Sequence, residues 1–352
     1  MKRLVFNSII TGIFLIFLAL QNVWAIQTSK QVNRTFTLKP TTEVSVSNKF
    51  GNIIIHRWDK NTMEMKVNIS VDSKSVSNTQ AVLDAIDVKI TDRISSGQLY
   101  IETLIPESKT QKSSYSINYE INMPGTNKLI LSNQFGNVIM GSHTGDLDLS
   151  VKFGQLIAED LKKARIQVEF SNAKCEIESV EAGSVELKYS KMMIGDCGNI
   201  GVSSQFSDIE INKAGTIDMD ARYGKVAIYQ VGVLTGSIQF AGLSISKLTE
   251  SVRLDAKHGN GISLESVSRN FKSIEIDGQF SPIDISMLGG TQAKLQFDLQ
   301  FGNLKANGTG INFIKVLKDN TTSQYEGYLE SSNASSLVKV NSKYGNIRFE
   351  VN

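Results

Sequence analysis

Apolar and polar residues alternate along the chain in short runs, and the runs recur at a regular spacing. Between Ile217 and Leu248 the same unit occurs twice: alternating positions, an aromatic residue, a small residue and further alternating positions. We take the aromatic residue as position zero of each unit. It falls at Phe50, Phe135, Phe153, Phe170, Tyr189, Phe206, Tyr223, Phe240, His258, Phe280, Phe301 and Tyr344.

The spacing of these units predicts the fold class. From Phe135 to Phe301 successive units lie 17 to 22 residues apart, and a fixed period near 20 is the signature of a solenoid. Apolar residues concentrate at minus four, minus two, plus three and plus five, and polar residues at minus one, which is typical of short strands with one buried face. The sequence therefore predicts an all-β protein, a parallel β-solenoid (β-helix or β-roll) with 17–22-residue rungs.

The corner of each rung supports two further expectations. Positions minus four, minus two and zero share a parity, so the aromatic side chain is expected to point inward, and Phe206→Ala is expected to cost about 3–5 kcal/mol as a core truncation. Position plus one is always Gly, Ser or Ala. That mixture favours a limit on side-chain size over a requirement for positive φ.

Three sections are predicted along the chain. Residues 1–25 form a signal peptide, residues 26–125 a β-rich section that caps or leads into the solenoid, and residues 126–352 the solenoid itself. The N-terminal section contains one short helix, Asn78–Ile86, with Ser77 or Asn78 as its N-cap. An irregular rung is expected near residues 312–336, because Phe301 and Tyr344 are 43 residues apart.

The first 25 residues predict export. Lys2 and Arg3 precede the apolar run Ile9–Leu20, and cleavage is expected after Ala25. The expected location is the periplasm, the outer surface or the medium, with no transmembrane segment after signal removal. Removal of Lys2 and Arg3 lowers the Lys and Arg count from 37 to 35, against 35 Asp and Glu. A neutral chain with interspersed charges does not predict a nucleic acid partner.

Residues that commonly carry chemistry are few. Cys175 and Cys197 fall in inward columns on adjacent rungs but are displaced along the strand, so both are predicted to be buried and unpaired. None of His56, His143 and His258 has a partner at metal-ligand spacing, and His258 is expected in the core. We expect no cofactor, no metal site and no catalytic residue.

One column of acidic residues is a candidate binding site. Asp255, Asp277 and Asp298 stand at minus three, an outward position, in consecutive units. On consecutive rungs their carboxylates would lie about 4.8 Å apart, a spacing suited to a calcium ion or to a carboxylate pair acting on a glycoside. The alternative is a solvated column with charge partners, since Lys257 lies two positions from Asp255 and Arg222 two positions from Asp220.

Several stretches together resemble a known group of proteins. They are SNKFGNIIIHRWDKNTMEMKVNISV, AVLDAIDVKI, NQFGNVIM, LQFGNLKA and the ending SKYGNIRFEV. This combination is similar to the bacterial "putative adhesin" families of β-strand repeat proteins, related to the "head GIN domain" group of Gram-negative bacteria. The resemblance implies a parallel β-helix or β-roll in the cell envelope and supplies no catalytic residues.

Three functions are compatible with these features. The first is a non-enzymatic, exported binding or structural surface protein, an adhesin for example, whose partners are glycans or envelope or host-surface proteins. The second is a polysaccharide-binding or polysaccharide-degrading β-helix that uses Asp255, Asp277 and Asp298. The third is an envelope-stress accessory protein that binds another exported domain.

Overall fold

The computed structural model describes residues 26–73, 76–106 and 113–352. The predicted signal peptide, residues 1–25, lies outside the described residues. The described chain is all-β with one α-helix, which confirms the predicted class. The sheet is mixed, with parallel and antiparallel pairs, so a parallel solenoid does not describe it as a whole.

The N-terminal section contains seven strands and the helix. Its helix α1 is Val76–Ala85, two residues earlier at its start than predicted. The strands are β1 (Ile26–Thr37), β2 (Glu43–Lys49), β3 (Ile53–Trp58), β4 (Thr62–Ser73), β5 (Asp87–Arg93), β6 (Gln98–Leu104) and β7 (Ser114–Pro124). Antiparallel pairs join β1 to β4, β4 to β7 and β5 to β6.

The remaining strands follow the repeat. In the middle of the chain they are β8 (Leu129–Gln134), β9 (Val138–Met140), β10 (His143–Lys152), β11 (Leu156–Glu169), β12 (Lys174–Lys188), β13 (Lys191–Lys257), β14 (Gly261–Val267), β15 (Ser273–Gln279), β16 (Ile283–Met287) and β17 (Ala293–Gln300). At the C-terminal end they are β18 (Leu304–Asn307), β19 (Ile311–Lys318), β20 (Thr322–Leu329), β21 (Leu337–Lys343) and β22 (Ile347–Val351).

Successive units pair in parallel in two main stacks, and a third, shorter run of parallel pairs follows them, as Leu161 pairs with Val180 and Val180 with Cys197. Strand residues that precede the aromatic corner pair with the equivalent residues of the next unit, as Val151 does with Val168 and Val168 with Leu187. Residues that follow the corner pair in the same way, as Ile262 does with Ile283. We call these the pre-corner stack and the post-corner stack. Their inward apolar residues form one continuous core.

Chain order and spatial order differ at both ends. At the N-terminal end β2 lies between β6 and β8, and β3 lies between β7 and β9. At the C-terminal end β21 pairs with both β15 and β17, and β22 with both β16 and β18. The last unit of the chain is therefore inserted between the Phe280 and Phe301 units. The 43-residue step accommodates the hairpin β19–β20, which adds antiparallel strands beyond β17.

The predicted inward orientation of the aromatic residue is wrong. All twelve position-zero residues have φ between 49° and 61°, the left-handed region. This single residue interrupts the alternation, so positions minus two and plus one are both inward and the ring points outward. The Phe and Tyr rings from Phe135 to Tyr344 are 38–51% exposed.

The predicted size limit at position plus one is confirmed. A Cβ atom on Gly136 would lie 1.9 Å from the carbonyl oxygen of Gly51 in the neighbouring unit. Three of the four serines in this column, Ser190, Ser207 and Ser281, accept a backbone N–H from the preceding unit on their buried hydroxyl, as Ser207 Oγ does from Ser190 at 3.0 Å. Close stacking therefore excludes even a Cβ atom at Gly136, and the corners that hold a side chain hold only serine or alanine.

Cys175 and Cys197 are both buried with free thiols. Cys175 pairs with Met192, five residues before Cys197, so the two cysteines are displaced along neighbouring strands. Among the described residues, no helix has the length and apolar character needed to cross a membrane.

Candidate ligand-binding groove

The three predicted aspartates lie on one outward face of the pre-corner stack, at the C-terminal end. Asp255 of β13 pairs directly with Asp277 of β15. Asp277 and Asp298 are not on consecutive strands, because the inserted strand β21 places Asn341 between them. Beyond Asp298 the row ends at Gln324 of β20. The predicted three-carboxylate column is therefore an acid and amide row.

Hydrogen bonds and charge pairs organise this row. Lys257 Nζ lies 3.3 Å from Asp255 Oδ2, the charge partner that the sequence predicts. Asn341 donates its side-chain N–H to Asp277 Oδ1 at 2.5 Å. The carboxylates of Asp255 and Asp277 are thus held as acceptors by a cation and an amide on the same face.

A second row runs beside the first, two residues nearer the corner on each strand. It consists of Lys257, Gln279, Lys343, Gln300 and Thr322, which are directly paired across their strands. The two rows line a solvent-open groove with a cavity volume of about 850 Å³. Ammonium and amide groups of this row donate hydrogen bonds, whereas carboxylates of the first row accept them. The first row is therefore richer in acceptors and the second richer in donors, and polar groups repeat along both rows at roughly 4.8 Å.

The outward rings form the next row. They stack face to face in one uninterrupted series, which we call the aromatic ladder, with centroids 4.6–5.2 Å apart. Beside the groove the order is His258, Phe280, Tyr344 and Phe301. His258 is therefore a member of an exposed ladder and not a core residue. Because the ring faces within the ladder cover one another, only ring edges are presented to a ligand.

The remaining histidine and cysteine side chains lie outside the groove. His143 is 2% exposed, and its Nε2 lies 2.9 Å from the carbonyl oxygen of Asn127. Burial lowers the pKa of His143, opposed by this backbone hydrogen bond. Burial also raises the pKa of the Cys197 thiol to about 11, which leaves it a poor nucleophile at neutral pH. Within the described part of the chain, no three His, Cys, Asp or Glu side chains form a metal-binding group.

Sequence reasoning missed Asn341, Gln324 and Thr322. Asn341 belongs to a regular unit and stands at minus three, the same position as the predicted aspartates, so its outward orientation could be predicted from the pattern. The position of Asn341 between Asp277 and Asp298 could not be predicted, because it depends on the inserted strand.

No family model matches the chain, and no curated protein matches it. Solved structures share its shape weakly. A "putative adhesin" from Parabacteroides distasonis ATCC 8503 has 10% identity and a TM-score of 0.37, and the match covers 91% of this chain and 97% of that one. A "putative adhesin" from Parabacteroides merdae ATCC 43184 has 12% identity and a TM-score of 0.36, covering 72% and 95%. A "Putative lipid binding protein" from Parabacteroides distasonis ATCC 8503 has 9% identity and a TM-score of 0.26, covering 91% and 96%.

The first two structures carry the description that the sequence resemblance predicts. With TM-scores below 0.5 and identities near 10%, none of the three assigns a ligand or an activity to this chain.

Proposed function

We propose that this protein is an exported, non-enzymatic surface protein that binds an extended glycan in the groove between the two polar rows. In this proposal the parallel-paired units act as a rigid β-solenoid that presents the groove at one end. The observation that carries it is that a row with three carboxylates, Asp255 to Gln324, runs beside a row with two ammonium groups, Lys257 to Thr322.

Glycans suit this arrangement for chemical reasons. Each sugar hydroxyl both donates and accepts hydrogen bonds, so a sugar chain can satisfy carboxylates on one side of the groove and ammonium or amide groups on the other. The groove is long and open, which favours an extended polymer over a compact small molecule. The adjacent ring edges of Phe280 and Tyr344 supply an apolar border for the C–H groups of the sugar.

The same features favour binding over catalysis. A catalytic acid for glycoside cleavage needs a raised pKa, which burial usually provides. The Asp255 side chain is half exposed and paired with Lys257. A polysaccharide-degrading alternative rests on the direct pairing of Asp255 with Asp277, at a strand spacing of about 4.8 Å that is close to the separation used by retaining enzymes.

A glycan array with matched variants tests the proposal. We expect selective binding by the wild type and a loss of at least tenfold in Asp277→Asn and in Asp298→Asn, because each substitution removes an anionic acceptor. Asp220→Asn is the matched control, since Asp220 occupies the same position in its unit but lies outside the groove. Asp220 is paired with Arg222 at 3.0 Å, as Asp255 is with Lys257.

Three results would count against the proposal. If the folded protein bound no glycan on the array, a glycan would be excluded as the ligand. If Asp220→Asn weakened binding as much as the groove variants, the groove would be excluded as the binding site. Release of new reducing ends from a bound polymer, abolished by Asp277→Asn, would establish the degrading alternative. Repeating the array with calcium and with chelator separates carboxylate–cation binding from direct binding.

A further inference from the structure

The two ends of the aromatic ladder differ. At the N-terminal end Tyr115 meets Phe50 edge to face, with ring centroids 5.2 Å apart. At the C-terminal end Phe301 stacks on Tyr344 at 4.8 Å. Among the described residues, no second ring and no cation lies over the other face of Phe301. Within the described part of the ladder, Phe301 therefore has the one ring face that no other ring contacts.

The hairpin β19–β20 explains why the ladder ends at Phe301. Strand β17 pairs with β21 on one edge and with β20 on the other, so the free face of Phe301 is directed toward β20. Strand β20 follows a hairpin turn, residues 319–321, in place of an aromatic corner. The backbone N–H of Phe301 donates to Thr321 O of this turn at 2.8 Å. The turn thus lies at the level where the next ring of the ladder would stand.

The turn leaves part of this ring face open. Phe301 is 49% exposed, whereas the ladder phenylalanines with a ring on both sides are 38–45% exposed. The face of an aromatic ring carries partial negative charge and its edge partial positive charge. The C–H groups of a sugar therefore pack better on this free face than on the edges that the inner rings present.

Four polar side chains beside this face have no partner within the protein. They line the last part of the groove and pair across β17 and β20: Asp298 with Gln324, and Gln300 with Thr322. None of the four makes a side-chain hydrogen bond or an ion pair with another described residue. Elsewhere in the groove Asp255 is already held by Lys257, and Asp277 by Asn341. The groups that are free to hydrogen-bond a ligand are therefore concentrated next to Phe301.

We propose that the free face of Phe301 is a stacking platform for one sugar residue of the glycan, and that Asp298, Gln300 and Thr322 hydrogen-bond the hydroxyl groups of that sugar. This inference rests on the proposed function and adds a specific contact to it. One face of a pyranose ring presents C–H groups that pack on an aromatic face, while the hydroxyl groups around its rim need polar partners. Phe301 and its neighbours supply both kinds of contact at one place.

The platform lies at the end of the groove. It stands at the level of β20, whose Thr322 and Gln324 line the groove. Beyond β20 the first row continues with Leu317 of β19, which pairs with Gln324 and is 52% exposed. The polar row therefore ends where the platform stands, which places the stacked sugar at the end of the bound segment of the glycan.

Substitution of the platform ring tests this inference. The probes are soluble hexasaccharides of β-linked glucose, galactose, mannose, xylose and N-acetylglucosamine, together with the glycans retained on the array. Phe301→Asn removes the ring, and asparagine tolerates the left-handed backbone. We expect the wild type to bind at least one probe and Phe301→Asn to bind it about tenfold more weakly, because the stacked apolar face is lost.

Phe153→Asn is the matched control. Phe153 and Phe301 both have φ of 55°, but Phe153 has a ring on both sides and lies outside the groove. Phe301→Trp should retain binding, and its indole fluorescence should change when a probe is added, whereas the fluorescence of Phe153→Trp should not. Trp58 contributes the same background to both variants.

The outcomes separate the platform from the groove. A tenfold loss in Phe301→Asn but not in Phe153→Asn, with a fluorescence change in Phe301→Trp, supports the platform. If Phe301→Asn binds like the wild type while Asp277→Asn loses binding, the platform is wrong and the proposed function stands. Equal loss in Phe153→Asn would overturn the platform in favour of a general role of the ladder. If the wild type binds no probe, the platform and the proposed function are both wrong.

Discussion

At the scale of single residues, the corner balances backbone strain against ring stacking. The left-handed backbone conformation of a bulky residue destabilises the fold by about 1–3 kcal/mol, and every position-zero residue adopts it. Each ring inside the ladder has two stacked neighbours, worth roughly 0.5–1.5 kcal/mol apiece. The backbone stays hydrogen-bonded through the corner, as Phe135 N–H is to Lys152 O at 2.9 Å. Strain in one unit is therefore offset by contacts with the next, and a single isolated corner would gain little.

This balance predicts an unusual order of stability at Phe206. Phe206→Ala should cost about 1–3 kcal/mol through lost stacking on Tyr189 and Tyr223, well below the core-truncation cost expected from the sequence. Phe206→Gly loses the same stacking but relieves the left-handed strain, so it should be more stable than Phe206→Ala by about 1 kcal/mol. Chemical denaturation of both variants measures this difference.

Val202 provides the control for Phe206. It lies buried on the same strand, four positions earlier, and there Val202→Gly should be less stable than Val202→Ala, the ordinary order in a strand. The same order at Phe206 would contradict the left-handed backbone. A loss of about 3–5 kcal/mol in the free energy of unfolding of Phe206→Ala would indicate that the ring is buried in the core.

At the scale of elements, polar residues at inward position minus two connect strands through the corner. Asn48 of β2 donates to the carbonyl oxygen of Ile117 at 3.0 Å and to Asn133 Oδ1 of β8 at 3.2 Å. Thr103 of β6 donates to Asn48 Oδ1 at 2.9 Å. One buried amide therefore joins β2 with its neighbours on both sides. It fixes the point where chain order and spatial order differ at the N-terminal end.

Removing this amide should destabilise the N-terminal end. Asn48→Ala leaves the buried Asn133 Oδ1 of β8 without this donor, although Thr103 of β6 keeps its hydrogen bond to Tyr119 at 2.7 Å. We expect a loss of about 2–3 kcal/mol in the free energy of unfolding. Ser204→Ala is the matched control: Ser204 occupies the same position and is buried, but its hydroxyl makes one long bond, 3.4 Å to Ser207 O. A loss in Asn48→Ala no larger than in Ser204→Ala would show that the network contributes packing only.

The local sequence pattern of this chain predicts its strands, but it does not predict which strands pair with each other. The repeat predicts the strands, the outward Asp255, Asp277 and Asp298, and the small residues at plus one. Every unit has nearly the same pattern, however, so nothing local states which unit stacks on which. The insertion of β21 is favoured by the fit of whole strands, and for that reason Asn341 was not placed in the groove. The ring orientation was missed because one left-handed residue shifts the parity that the pattern assumes.

At the scale of the whole molecule, the middle units are interchangeable in principle. From Phe153 to Phe280 spatial order follows chain order, ring on ring. Each unit contacts its two neighbours through equivalent pairs, so stability should be close to a sum of unit and interface contributions. The ends differ, since each carries antiparallel strands that stop the stack. Length should therefore be adjustable in the middle and fixed at the ends.

Removing one whole unit tests this additivity. Deletion of residues 204–220 takes out 17 residues, the local period, and joins Ser203 at minus three to Ala221 at minus two. We expect a folded protein with cooperative thermal unfolding and one ring fewer in the ladder. Deletion of residues 204–219 is the control: it leaves one extra residue within the strand, so a bulge must form or every later side chain changes face. If the two deletions unfold at the same temperature, the stacking register does not govern stability, whereas a clearly higher midpoint for the 17-residue deletion supports the repeat as the unit of folding.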